Sequence, residues 1–125
     1  DYLSRYHIAD LGLDCYPYGS HATANDMLWA GCLLVTMAGE TFASRVSGSQ
    51  LRAAGLEELI TWSYEEYEAL AVSLAHDPER LGALRRRLIE ERDSLPLFDM
   101  VRFTRDLEGL YRTMMVEKGL LTHVE

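Results

Sequence analysis

The stretch Tyr18-Gly19-Ser20-His21-Ala22-Thr23-Ala24-Asn25-Asp26 gathers residue types that suit a bound diphosphate. Gly19, Ser20 and Ala22 are small enough for their backbone N–H groups to come close to a ligand. A helix opening near Thr23 points the positive end of its dipole back at the loop, which makes an anion site. His21 and Thr23 add side-chain donors. Asp26, placed in the first helical turn, can accept hydrogen bonds from ribose hydroxyls. The same residues carry a plainer reading. Thr23-x-x-Asp26 has capping-box spacing, and an acidic residue in a first turn is favoured by the dipole alone. A single loop histidine is ordinarily a solvated one. The segment has neither the glycine fingerprint of dinucleotide sites nor the lysine of a P-loop, so the pattern alone leaves both readings open.

The elements that must position this loop alternate in type. Residues 8–15 read as a strand, followed by the turn-rich run Tyr16-Pro17-Tyr18-Gly19-Ser20. Residues 23–30 read as a short helix closed by Gly31, and 32–37 as a near-continuous apolar strand covered on both faces. Ala38-Gly39 then turns the chain into a helix through Thr41, Phe42, Val46, Gln50 and Ala54, ended by Gly55. A third, shorter strand is expected at 59–62. Ser63-Tyr64-Glu65-Glu66 is a capping-box pattern for a helix reaching about His76. Asp77-Pro78 opens another, as N-cap and first helical residue, and Leu95-Pro96-Leu97 breaks it. The last helix is expected over 99–118, with Phe103, Leu107, Leu110, Tyr111 and Met114 on one face.

Strand and helix alternating three times predict an α/β fold, a Rossmann-like three-stranded parallel sheet with right-handed crossovers. Such sheets bind ligands beyond the carboxyl ends of their strands. Two loops lie there: the one above, and Met37-Ala38-Gly39-Glu40-Thr41. A Rossmann-like unit has roughly five or six strands, so three strands suggest the end of a larger domain.

Composition narrows the function classes. The 125 residues are 48% apolar with a net charge of −8, and Lys118 is the only lysine. Nucleic-acid binding is disfavoured, because phosphate backbones call for clustered Lys and Arg. The run Arg85-Arg86-Arg87, followed by Glu90, Glu91, Arg92 and Asp93, reads as a solvated helix face of mixed sign. No apolar run approaches the ~20 residues of a membrane span and no signal peptide is visible, which together point to a cytoplasmic protein. Cys15 and Cys32, in apolar segments, are expected to be reduced thiols.

Residues 21–31, HATANDMLWAG, are similar to the Gly-His-Thr-Thr-x-x-Asp-x-Leu-Trp-Ala-Gly motif of the O-linked N-acetylglucosamine transferase (SPINDLY-like) family. Residues 35–46, 66–71, 94–99 and 102–108 resemble further blocks of that family in the same order. The resemblance implies a GT-B fold whose C-terminal lobe binds the donor UDP-GlcNAc without a metal or other cofactor. It implies transfer to Ser or Thr hydroxyls of proteins presented by upstream tetratricopeptide repeats.

Residues 1–125 would then be the last part of the donor lobe, with 99–118 its terminal helix. By position, the resemblance gives His21 and Thr23 to the diphosphate and Asp26 to the ribose. Ser20 stands where the family has Gly, and Ala22 replaces a phosphate-contacting Thr, leaving the amides near them to share the diphosphate. Tyr2 falls where a His commonly lies near the uracil. A lysine that compensates the diphosphate charge, and a catalytic histidine, belong to segments outside this chain, so the chain alone is expected to be inactive. Two alternatives stay open: a stand-alone nucleotide-binding domain without catalysis, and a helical protein-interaction module. In either case an uncovered stripe on the last helix would favour self-association.

Overall fold

The computed structural model describes residues 2–120. Three strands, β1 (Leu11–Leu13), β2 (Leu33–Met37) and β3 (Ile60–Thr61), lie side by side in that order. All pairing is parallel: Leu11 sits opposite Leu33, Leu13 opposite Val35, and Thr36 opposite Ile60. Parallel neighbours need crossovers, and the helices α1 (Ala22–Trp29) and α2 (Val46–Ala53) supply them. Three more helices follow, α3 (Tyr64–Ala75), α4 (Pro78–Glu91) and α5 (Met100–Glu117). The expected α/β class and its three-stranded parallel sheet are what the chain forms.

β2 is the middle strand and all five of its residues are buried. Its alternating side chains feed two cores, as strand geometry requires. Leu33 and Val35 join Leu28, Leu51, Leu56, Leu59, Leu74 and Leu88, whereas Cys32 and Leu34 meet Ala24 and Met27. Each fully buried Leu contributes about 1.5–3 kcal/mol. Cys15 and Cys32 are both free, the first exposed and the second buried. Burial pushes the Cys32 thiol above its usual value, so it serves as a small apolar side chain.

The helix ends are set by local chemistry. Ser63, Asp77 and Asp99 cap α3, α4 and α5, their side-chain oxygens accepting from the amides of Glu66, Arg80 and Arg102. Gly31 at φ 79° follows α1, and the Cys32 and Gly31 amides donate back to Met27 and Leu28. That paired bonding needs a left-handed residue, which glycine takes without strain. Gly55, at φ 66°, ends α2 in the same way.

The arginine run departs from the expected solvated face. Arg85 donates to the Gly31 carbonyl at 2.9 Å and Arg87 to the Gly55 carbonyl at 2.7 Å, and only Arg86 is exposed. Arg92 donates to the Trp29 carbonyl at 2.9 Å, with its guanidinium 4.6 Å from the Trp29 ring centre. Charged donors from α4 and the turn after it thus satisfy the orphan carbonyls where α1 and α2 end.

Two element boundaries also differ. The first strand is three residues long, because residues 3–8 form a 3-10 helix and Ile8 is 86% exposed. α2 begins at Val46 instead of near Thr41. The Ser44 amide donates to the Thr41 hydroxyl, and the Ser44 hydroxyl donates to the Thr41 carbonyl at 2.9 Å. This local side-chain bonding holds residues 41–44 in a turn that competes with helix. Finally, α5 does not pack on the sheet: none of its residues is buried.

Candidate functional site

The carboxyl ends of β1 and β2 open into two loops that meet each other. Asp14, the residue after β1, is only 8% exposed and organises the first of them. Its Oδ1 accepts from the Cys15 amide at 2.9 Å and the Ser20 amide at 2.7 Å, and its Oδ2 accepts from the Thr36 hydroxyl at 2.7 Å. One carboxylate therefore ties both ends of the loop to the central strand. The Tyr67 hydroxyl donates to the Asp14 carbonyl at 2.9 Å. Burial first, and then the Asp14 carboxylate, push the Tyr67 phenol above its usual value, which keeps it a donor.

The loop is next tied to the second one and to α2. The Gly19 amide donates to the Ala43 carbonyl at 3.1 Å, the Ser47 hydroxyl to the Ser20 carbonyl at 2.6 Å, and the Gln50 side-chain amide to the His21 carbonyl at 3.1 Å. A Cβ on Gly19 would stand 3.1 Å from Asp14 Oδ2 and 3.2 Å from the Ala43 oxygen, so a larger residue would push the two loops apart.

These bonds refine the sequence reading. The Gly19 and Ser20 amides are spent inside the loop, so those residues hold the loop's shape and do not offer free N–H groups. The helix starts one residue earlier than expected, with His21 as an N-cap that makes no side-chain cap bond. Its first intrahelical bond runs from the Asn25 amide to the His21 carbonyl. The amides of Ala22, Thr23 and Ala24 precede it and have no acceptor within the helix. Ala22 and Thr23 are exposed, so these donors face outward beside the Thr23 hydroxyl.

Asp26 is the fifth residue of α1 and not part of its first turn. With Thr23 already inside the helix, the capping-box reading of this pair does not hold. Asp26 is partly buried on the side of the N-terminal 3-10 helix. There the Tyr2 and Tyr6 hydroxyls lie 2.7 Å apart, with their rings edge to face. The Tyr6 phenol is pushed up to about 12, mainly by its bond with Tyr2, then by burial and by charges that include Asp26. Tyr2 is exposed, and it lies at the same end of α1 as Asp26 in electrostatic terms.

His21 takes the opposite side. Its ring stacks on Tyr18 with centroids 5.2 Å apart and planes 16° from parallel, and meets Phe42 edge-on at 6.1 Å. Its Nε2 is 3.4 Å from the Ala43 carbonyl oxygen. The structure thus gathers Ser20, His21, Ala22, Thr23 and Asp26 around one helix N-terminus, with Tyr2 beyond Asp26. Sequence reasoning passed over Asp14, Ser47 and Gln50, which position the loop. The available signal was Asp14 itself, an acidic side chain at the end of an apolar strand.

Other concavities fit less well. A cavity of about 120 Å³ behind Asp14, lined by Tyr16, Met37, Tyr64 and Tyr67, is too small for a nucleotide. One of about 420 Å³ borders Asp10, Leu11 and Pro78, at the other end of β1 from these loops. Its one cation, Arg85, is already bonded to backbone carbonyls. Among the described residues no group of three or more His, Cys, Asp or Glu is placed to hold a metal ion, and no helix is long and apolar enough to cross a membrane.

Comparison with known proteins agrees with the motif. A Caenorhabditis elegans protein named UDP-N-acetylglucosamine–peptide N-acetylglucosaminyltransferase is 38% identical over 114 residues, covering 91% of this chain and 10% of its own length. The Solanum lycopersicum protein named "Probable UDP-N-acetylglucosamine–peptide N-acetylglucosaminyltransferase SPINDLY" is also 38% identical, over 91% of this chain and 12% of its own. A solved mutant O-GlcNAc transferase of Thermobaculum terrenum superposes with a TM-score of 0.85 at 38% identity, over 91% of this chain and 22% of that one. The chain therefore spans about a tenth of the length of these curated relatives. Residues 1–107 match the family described as Glycosyl transferase family 41, and the chain belongs to that family.

Proposed function

We propose that this chain is the end of the donor-binding lobe of a GT-B glycosyltransferase. In this reading it holds the UDP moiety of UDP-GlcNAc while the sugar passes to a Ser or Thr hydroxyl of a protein. The observation that carries the reading is the α1 N-terminus, whose unused amides stand beside His21 and Thr23 on a loop fastened by Asp14, Ser47 and Gln50. When the glycosidic bond to the diphosphate breaks, negative charge grows on the leaving oxygens. Fixed donors and a helix dipole aimed there stabilise it without reorganising.

In this account Thr23 donates its hydroxyl and amide to the diphosphate, Ala22 its amide, and His21 its ring. Ser20 shapes the approach. Asp26 accepts from the ribose hydroxyls, and Tyr2 packs near the uracil. The charge compensation is metal-independent, completed by a lysine elsewhere in a longer protein. That longer protein also supplies the catalytic histidine and the repeats that present the acceptor, in the cytoplasm. The names and lengths of the relatives support this division of labour. The exposed stripe of α5 supports a second reading, a helical interaction module. An NMR titration of the chain with UDP separates the two. The donor-site reading expects shifts at residues 20–26, and expects Asp26→Asn to weaken UDP while leaving the melting temperature nearly unchanged. Shifts absent there, or a large loss of stability in Asp26→Asn with binding intact, would refute it.

A further inference from the structure

Two large aromatic side chains stand exposed beside the diphosphate donors. Tyr18 is 68% exposed and Phe42 is 81% exposed, each on a different loop, and both rings rest on the one His21 ring. The position of each is fixed from below. Gly19 and Ser20, next to Tyr18, are bonded to Ala43 and Asp14, and Ala43, next to Phe42, receives the Gly19 amide. Two anchored rings therefore present faces to solvent at a site whose other groups are polar donors.

Their location relative to the nucleoside end follows from helix geometry. Asp26 lies five residues beyond His21, which places it roughly 140° around the axis of α1. Asp26 faces the Tyr2–Tyr6 side, whereas His21 faces Phe42 and the second loop. A nucleoside diphosphate sugar has its nucleoside at one end of the diphosphate and its sugar at the other. With the diphosphate on the amides of residues 22–24 and the ribose on Asp26, the sugar leaves on the side of Tyr18 and Phe42. A pyranose offers one face of C–H groups, which suits the electron-rich face of an aromatic ring, and a rim of hydroxyls. The Tyr18 hydroxyl, at the ring's edge, can donate to or accept from that rim.

We propose that Tyr18 and Phe42 form the platform on which the donor's sugar ring packs, with Tyr18 limiting which sugar fits. The proposal rests on the donor-site reading above. Neither ring is assigned to the diphosphate or the nucleoside, so the two moieties can be tested apart.

The experiment is calorimetric titration of the full-length transferase carrying this chain, with UDP and with UDP-GlcNAc as the two probes. Tyr18→Ala is expected to raise the Kd for UDP-GlcNAc about fivefold, the scale of one lost ring contact, while the Kd for UDP moves less than about twofold. Tyr18→Phe, which keeps the ring and its stack on His21, should restore most of the loss. Phe42→Ala should show the same selective pattern with a smaller change, about threefold. If Tyr18→Ala weakens both probes equally, the ring merely supports His21 and the proposal is overturned. No change for either probe overturns it as well. A wild-type protein that binds neither probe would overturn the donor-site reading together with this one.

Discussion

The α1 N-terminus and α5 both face outward, but only one of them is prepared for a small polar ligand. Around residues 14–21, Asp14, Ser47 and Gln50 reach across from other elements and fix the backbone, so that unused donors are held in place. On α5, Phe103, Leu110, Tyr111 and Met114 are all more than half exposed, and no residue is buried. Preorganised polar groups suit recognition of charge, whereas an uncovered apolar stripe suits another protein surface. The contrast shows that exposure by itself says little about function. What distinguishes a site is how firmly the groups beneath it are held.

The largest expected effect comes from cutting that support. Asp14→Ala leaves the Thr36 hydroxyl and the Ser20 amide without their acceptor in a nearly buried place. The loss should be about 3 kcal/mol, a fall in melting temperature of roughly 10 °C. Thermal unfolding followed by circular dichroism checks this, and a change under about 2 °C would mean that the loop is held by other contacts.

The smallest effect on stability belongs to α5. Substituting Tyr111→Ser and Met114→Ser together removes no buried contact, so the melting temperature should move by less than about 0.5 kcal/mol's worth. What should change is association. We expect the 125-residue chain to self-associate through this stripe and the double variant to stay monomeric, as read by sedimentation velocity over a wide concentration range. A wild-type chain that is monomeric throughout would remove the contrast from which these predictions start.

Much of the fold was legible because its signals are local. Ser63, Asp77 and Asp99 read as caps because each accepts from an amide three residues on. Residues 32–37 read as a strand because an unbroken apolar run has to be covered on both sides. The misreadings involve partners far away in the chain. Thr36 bonds Asp14 across 22 residues, and Arg85 bonds Gly31 across 54. Neither pairing leaves a trace in spacing, so Asp14 went unnoticed and Arg85 was read as solvated. Within the site, the residue types were legible and their arrangement was not. Asp26 was placed in the first turn because the helix start was judged from Thr23, while the structure begins α1 at Ala22. The apolar stripe of α5 was equally visible, but periodicity tells only that a face is apolar and never what covers it.

The most direct test of the central claim compares UDP binding by the full-length transferase with that of His21→Ala and Thr23→Val. Each substitution removes a side-chain donor to a charged group, worth about 1.5–3 kcal/mol, so the Kd should rise at least about tenfold in each. The melting temperature should barely move, because His21 makes no cap bond and Thr23 is exposed. Unchanged UDP affinity in both variants would contradict the account and leave the α1 N-terminus as a purely structural feature.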